Sequence, residues 1–220
     1  MNKEEFIDKV HIVEEMTDDK PLQDILELIK VVTPHTDFRT VSAQTDISLT
    51  QGDINYCAII IEGVVSVIRD ADRLTLGMVY SPFIIGSSFL NGHRNIFSIK
   101  TESCSRLGLI NLLNFSEIIT TYKLWRQVAS VQSYIIQRFL ILSAISVAKT
   151  AYEVIKSHLY MLSIEPEIVR HETFVASYIL KRTKLSRSTV MKILFQLKKG
   201  NYIEIQNGHL VKINDLPYAY

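Results

Sequence analysis

The side chains with the most chemical capacity in this sequence stand close together: Ser186, Arg187, Ser188, Thr189, Lys192, Lys198 and Lys199. Guanidinium and ammonium groups are charged donors, and hydroxyls both donate and accept. Such a set breaks no covalent bond by itself. It binds anions and the acceptor edges of bases. The surrounding charge agrees. Between Arg170 and Gly200 the eight basic residues Arg170, Lys181, Arg182, Lys184, Arg187, Lys192, Lys198 and Lys199 meet one acidic residue, Glu172, whereas the rest of the chain holds sixteen basic and twenty-two acidic residues. The net charge of +1 hides this cationic segment. It has the electrostatic footprint of a nucleic-acid-binding module, although charge alone fits a solvated basic face equally well.

Other chemistries find less support. No GxSxG, P-loop, HExxH or paired-carboxylate spacing occurs, so no enzyme activity is expected. The six histidines, His11, His35, His93, His158, His171 and His209, have no ligand-like spacing, and neither a metal nor a cofactor is expected. The two cysteines, Cys57 and Cys104, form no CxxC pair and are too few for a disulfide framework or an iron–sulfur cluster. Both are expected to be small buried hydrophobes rather than a redox switch.

The elements that must hold the cationic residues can be read from spacing. Val175–Arg182 forms a short helix, Thr183-Lys184-Leu185 a tight turn, and a second helix begins at Ser186, whose hydroxyl can cap a free amide of the first turn. Along that second helix Val190, Ile193, Leu194 and Leu197 share one face, while Arg187, Ser188, Met191, Lys192 and Phe195 share another. One side is to be buried and the other offered. Gly200 takes the place of a helix C-cap glycine, and Tyr202–Gln206, Asn207-Gly208 and His209–Ile213 read as a β-hairpin with a type I′ turn. Helix, turn, helix and hairpin make a winged helix. In that architecture the N-terminal half of the second helix enters the major groove of double-stranded DNA. Arg187, Ser188 and Lys192 then face base edges, and Ser186, Thr189, Lys198 and Lys199 face the backbone phosphates. Phe195, on the outward face, fits packing against another domain as well as it fits the groove. A winged helix can also be a protein-interaction module whose basic face is incidental; salt-dependent DNA binding separates the two.

The 220-residue chain, 47% hydrophobic, is long enough for two folded units. Residues 1–35 read as a helical segment in which Leu22, Ile25, Leu26, Leu28 and Ile29 follow Pro21, a residue suited to a first helical turn, and Pro34 ends the pattern. Residues 36–120 are β-rich. Short runs at Ala58–Ile61, Val64–Ile68, Leu74–Tyr80, Ile96–Lys100 and Arg106–Ile110, divided by turn residues, predict a small all-β sandwich or barrel. Residues 121–149 form a long helix with an apolar stripe at Val128, Val131, Ile135, Phe139, Leu142 and Ile145. Either the β-unit or the same helix of a second copy must cover that stripe. A further helix over residues 149–162 leads into the winged helix of residues 150–220. No stretch reaches the roughly 20 apolar residues of a membrane helix, and the first 30 residues are too charged for a secretory signal, so a cytoplasmic protein with no membrane partner is expected.

Residues 185–203, LSRSTVMKILFQLKKGNYI, resemble the recognition-helix signature of the Crp/Fnr family of bacterial regulators. The β-rich region is similar to that family's cyclic-nucleotide-binding-like β-roll, with Leu49–Asp53, Ile60–Val65 and Phe83–Gly86 standing in its order. The resemblance implies an α+β chain with an N-terminal β-roll, a long connecting and dimerisation helix, and a C-terminal winged helix-turn-helix. It also implies a transcription regulator that binds a near-palindromic DNA site as a homodimer, with RNA polymerase as a further partner. The departures matter. In the family's cyclic-nucleotide binders the glycine matched by Gly86 precedes a glutamate for the ribose hydroxyl, and here Ser87 follows. The arginine for the cyclic phosphate has only Arg94 as a candidate, on a shorter segment. Gly86, Ser87 and Arg94 therefore mark a degenerate pocket: cyclic AMP is not the expected effector, and the sequence assigns no other small molecule. The cysteines of the oxygen-sensing branch are absent as well. Ser188 stands where an acidic residue is common, which removes an acceptor for cytosine N4 and changes the half-site to be expected.

Overall fold

The apolar spacing after Pro21 closes into helix α1 (Leu22–Val32), with Ile25, Leu28, Ile29 and Val32 buried along one face. Pro21 is its N-cap, one place before the helical turn expected for it. The computed structural model describes residues 20–89, 95–146, 150–165 and 167–217, with the backbone alone for 141–146 and 167–168. It divides after Gln137 into two compact units.

The first unit is built on two antiparallel sheets. In one, β1 (Phe38–Val41), β9 (Ser105–Asn111), β4 (Ile54–Glu62) and β3 (Thr50–Gln51) follow in that order, and β7 (Phe83–Ile85) also pairs with β4. In the other the order is β2 (Asp46–Ser48), β8 (Phe97–Thr101), β5 (Val64–Arg69) and β6 (Thr75–Tyr80). The short apolar runs predict a small all-β sandwich or barrel, and the two sheets form the β-roll that the resemblance implies. Strand β4 is buried continuously over Cys57–Ile60 rather than alternately. The reason is that helix α2 (Leu112–Thr121) packs on β4, so both faces of the strand are covered. The Asn111 side chain starts α2 by accepting from the Leu113 amide at 2.8 Å. The helix then adds Leu112, Phe115 and Ile119 to the core formed by the strands and α1. After a break with Lys123 in the left-handed region comes α3 (Trp125–Ser146). Its Val128 and Val131 are buried in the same core and Ile135 packs against it. The first part of the α3 stripe is thus covered by the β-roll.

The second unit opens with α4 (Ala151–Ser163), held at its start by a reciprocal capping box between Thr150 and Glu153. A short helix, α5 (Glu167–Glu172), follows, and the spacing had not indicated it. Then come α6 (Val175–Arg182), α7 (Arg187–Lys199) and the hairpin of β10 (Ile203–Gln206) and β11 (His209–Ile213). Ile155, Leu159 and Leu162 of α4, Val175, Tyr178 and Ile179 of α6, and Val190, Leu194 and Leu197 of α7 are buried with Ile203 and Leu210 of the hairpin. No described helix is long and apolar enough to cross a membrane.

Candidate nucleic-acid interface

Helix α7 shows how the second unit divides its side chains. Ser186 is its N-cap: the hydroxyl accepts from the Thr189 amide at 3.1 Å and lies 2.8 Å from the hydroxyls of both Ser188 and Thr189. Two hydroxyls expected at phosphates therefore already belong to a cap cluster at the end of the helix where amides and dipole favour an anion. Val190, Leu194 and Leu197 face inward and Ile193 is half-buried, while Arg187, Ser188, Met191, Lys192 and Phe195 are exposed. The two faces are the ones spacing assigned. Lys199 is also exposed. Lys198 also has a role within the fold, because its ammonium donates to the Ile205 carbonyl at 3.0 Å and ties the end of α7 to the wing. An ammonium has three donors, so that bond leaves others for a phosphate.

The rest of the unit fixes this helix in place. α6 packs on both α4 and α7, and α7 packs on β10. The buried Tyr178 hydroxyl donates to Glu165 at 3.1 Å, and the Arg182 guanidinium stacks 3.6 Å from its ring centroid. Arg182, counted among the basic residues of the segment, is thus engaged in packing. At the far end, Gly200 caps α7 with an ordinary φ, and the left-handed turn falls on Asn201. In the wing, Asn207 and Gly208 both have positive φ, 50° and 88°, as a type I′ turn requires. Gly208 cannot be replaced lightly, since a Cβ there would lie 2.6 Å from the Phe174 ring. Phe174 stacks on His209 with centroids 4.6 Å apart, and the Val175 amide donates to the Gly208 carbonyl at 2.9 Å. The wing turn is thereby clipped to the start of α6.

Comparison with known proteins agrees with this geometry. The family profile described as winged helix-turn-helix DNA binding matches residues 151–218. The "Inhibitor of hydrogen peroxide resistance" of Salmonella typhimurium is 31% identical over 204 residues, covering 91% of this chain and 98% of that protein. Its namesake from Escherichia coli K12 is 29% identical over 205 residues with the same coverage. The chain belongs to this family. Among solved structures, the c-di-GMP responsive global regulator CLP of Xanthomonas campestris superposes with a TM-score of 0.71 at 16% identity, covering 87% of this chain and all of that one. A CooA mutant from Carboxydothermus hydrogenoformans gives 0.63 at 14% identity, over 87% and 91% of the two chains. A crp/fnr-family transcriptional regulator from Eubacterium rectale gives 0.58 at 16%, over 86% and 90%. The inhibitor of hydrogen peroxide resistance family therefore has the Crp/Fnr fold, a cyclic-nucleotide-binding-like β-roll followed by a winged helix.

The described part of the pocket expected to be degenerate is closely packed. Gly86 has φ +105°, and a Cβ would lie 2.5 Å from the Tyr56 carbonyl oxygen and 3.2 Å from the Cys57 Cα, so β4 runs directly against it. Ser87 is only 3% exposed, in a one-turn 3-10 helix (Ser87–Phe89), and its carbonyl accepts from Gln132 Nε2 at 3.2 Å. The Asn95 amide donates to Asn55 Oδ1 at 3.2 Å, its own Oδ1 accepts from the Phe97 amide at 3.1 Å, and Phe89 and Phe97 meet edge-on at 5.3 Å. Arg94 lies outside the described residues. No His/Cys/Asp/Glu group among the described residues could hold a metal ion. Cys57 is buried, and burial pushes its thiol far above the ordinary range. Cys104 is exposed, contrary to the expectation that both cysteines are buried, because it sits in the turn between β8 and β9.

On α3, Val128, Val131 and Ile135 turn to the β-roll, whereas Ile136, Phe139 and Leu140 are 57%, 58% and 60% exposed. The side chains of Leu142 and Ile145 lie outside the described residues. Spacing alone treats Val128 to Ile145 as one stripe. The structure separates it into a covered part and an exposed part.

Proposed function

We propose that this chain is a sequence-specific DNA-binding transcription regulator rather than a catalyst, acting in the cytoplasm on a near-palindromic site as a homodimer. The observation that carries the reading is the division of α7: its apolar face is buried beneath α6 and the wing, and Arg187, Ser188 and Lys192 stand outward beside a capped helix start. Arg187 and Lys192 reach guanine O6 and N7, Ser188 lies at the same edges, and Ser186, Thr189, Lys198 and Lys199 meet phosphates. The exposed α3 residues Ile136, Phe139 and Leu140, three and four positions apart, support a two-helix seam with a second copy. A two-fold dimer with its recognition helices about one helical turn apart demands a near-palindrome. The names of the relatives support genes of peroxide resistance as targets, with RNA polymerase as the partner through which transcription changes.

The packed Gly86–Ser87 corner supports a regulator that does not take cyclic AMP as its effector. Calorimetry should show no saturable cyclic AMP binding tighter than about 10 μM, roughly −7 kcal/mol. DNA reading itself is tested by fluorescence anisotropy on an operator recovered by selection and on random DNA, over a salt series. Arg187→Ala should cost about 1–3 kcal/mol on the operator and much less on random DNA. Unchanged operator binding by Arg187→Ala, or a wild type that prefers no recovered sequence, sinks the reading and makes the winged helix a partner surface instead.

A further inference from the structure

Two apolar side chains stand on the reading face of α7 without a described role. Met191 is 48% exposed and Phe195 68% exposed, while Val190, Leu194 and Leu197 on the opposite face of the same helix are buried. At 3.6 residues per turn, Ser188, Lys192, Phe195 and Lys199 lie along one outward line, with Met191 beside it. The phenyl ring is therefore flanked along the helix by Lys192 and Lys199, and α7 carries no acidic residue. An apolar protein partner would have to desolvate those ammonium groups without neutralising them. A DNA groove neutralises them with phosphates and at the same time presents base edges to whatever lies between.

Of the groups exposed in the major groove, the C5-methyl of thymine is the apolar one; guanine, adenine and cytosine present polar acceptors and donors. A phenyl or thioether placed there gains against thymine and loses against cytosine, whose amino group it leaves unpaired. Ser188, short and uncharged, does not compete for that position by calling for cytosine.

We infer that Phe195, with Met191 beside it, reads thymine methyl groups, so that each half-site carries thymine beyond the guanine met by Arg187. The eight positions from Arg187 to Phe195 span about 12 Å of helix, the rise of three to four base pairs. The thymine step is to be found at about that distance from the guanine. The inference rests on the DNA-reading assignment, which it makes specific.

The test alters the DNA rather than the protein fold. The full chain is titrated by fluorescence anisotropy, at one fixed salt concentration, against the selected operator and against the same operator with deoxyuridine in place of half-site thymines. Deoxyuridine keeps every hydrogen-bonding group and lacks the methyl. Wild type should lose about fourfold in affinity per critical methyl, the factor that burial of one such group supplies. Phe195→Ala should bind the two operators alike, Phe195→Leu should keep part of the difference, and all three proteins should bind random DNA equally. Equal wild-type affinity for thymine and deoxyuridine operators overturns the inference. So does a selected half-site without thymine at that distance, or a Phe195→Ala variant that weakens random DNA as much as the operator. If Arg187→Ala still loses operator binding in those cases, DNA reading stands without the methyl contact; if wild type selects no sequence, both readings fall together.

Discussion

The outward face of α7 and the Gly86 corner of the β-roll are built in opposite ways. On α7 the backbone is closed by Ser186 at one end and Gly200 at the other, the apolar side chains are buried, and Arg187, Ser188, Met191, Lys192 and Phe195 point away from the support. At the corner several polar groups turn inward and bond to their neighbours: the Ser87 carbonyl to Gln132, the Asn95 amide to Asn55 and the Asn95 Oδ1 to the Phe97 amide. A rigid scaffold supports both places. Recognition requires in addition that donors stay open to a partner, and on α7 the guanidinium of Arg187 and the ammonium of Lys192 stand exposed.

The largest effect that can break this comparison is Gly86→Ala. The substitution forces an L side chain into the left-handed region and drives its Cβ to 2.5 Å from a backbone carbonyl of β4 that cannot swing aside. These two costs together amount to about 3 kcal/mol of stability in the β-roll. Trp125, the single tryptophan, lies in that unit, so its fluorescence during urea unfolding reports the loss directly. Ser188→Ala, on the exposed face of α7, should change stability by less than about 0.5 kcal/mol. Equal and small effects at both positions would show that the corner is as loosely held as a surface, and the contrast would fail.

Much of this arrangement is legible in the sequence where one physical cause acts alone. The period of α7 names its buried and exposed faces, because a helix on a core must hide one side. Asn207-Gly208 names the wing turn, because few residue pairs accept two positive φ angles. Legibility ends where the cause is a distant neighbour. The stripe from Val128 to Ile145 says that a face is apolar, not that the β-roll covers Val128 and Val131 while Phe139 stays exposed. Arg182 and Lys198 count as cations in the sequence, yet one stacks on Tyr178 and the other holds the wing at Ile205. Cys104 follows the same rule: its exposure is set by a turn, not by its type. Helix α5, a turn and a half long, is too short to display a period at all.

The smallest of the predicted effects lies inside the winged helix and sharpens the comparison, because that unit also holds an inward-facing polar group. His158 of α4 is largely buried, and its Nδ1 donates to the Val154 carbonyl at 2.8 Å. Burial holds its pKa below the ordinary value of 6.5, and the nearby Arg182 guanidinium adds to the lowering, while the bond to Val154 opposes it. The unfolded chain therefore takes up a proton on His158 at a higher pH than the folded chain does. Stability from this residue is complete above about pH 6.5 and is lost as the pH falls below that value toward the lower folded pKa. Thermal unfolding followed by circular dichroism should give a lower midpoint at about pH 5.5 than at about pH 7.5, and His158→Gln, which cannot titrate, should show less of this drop. Equal drops in wild type and His158→Gln would place the pH dependence elsewhere. Operator binding by α7, measured at the same two values, should follow the unfolding of its support.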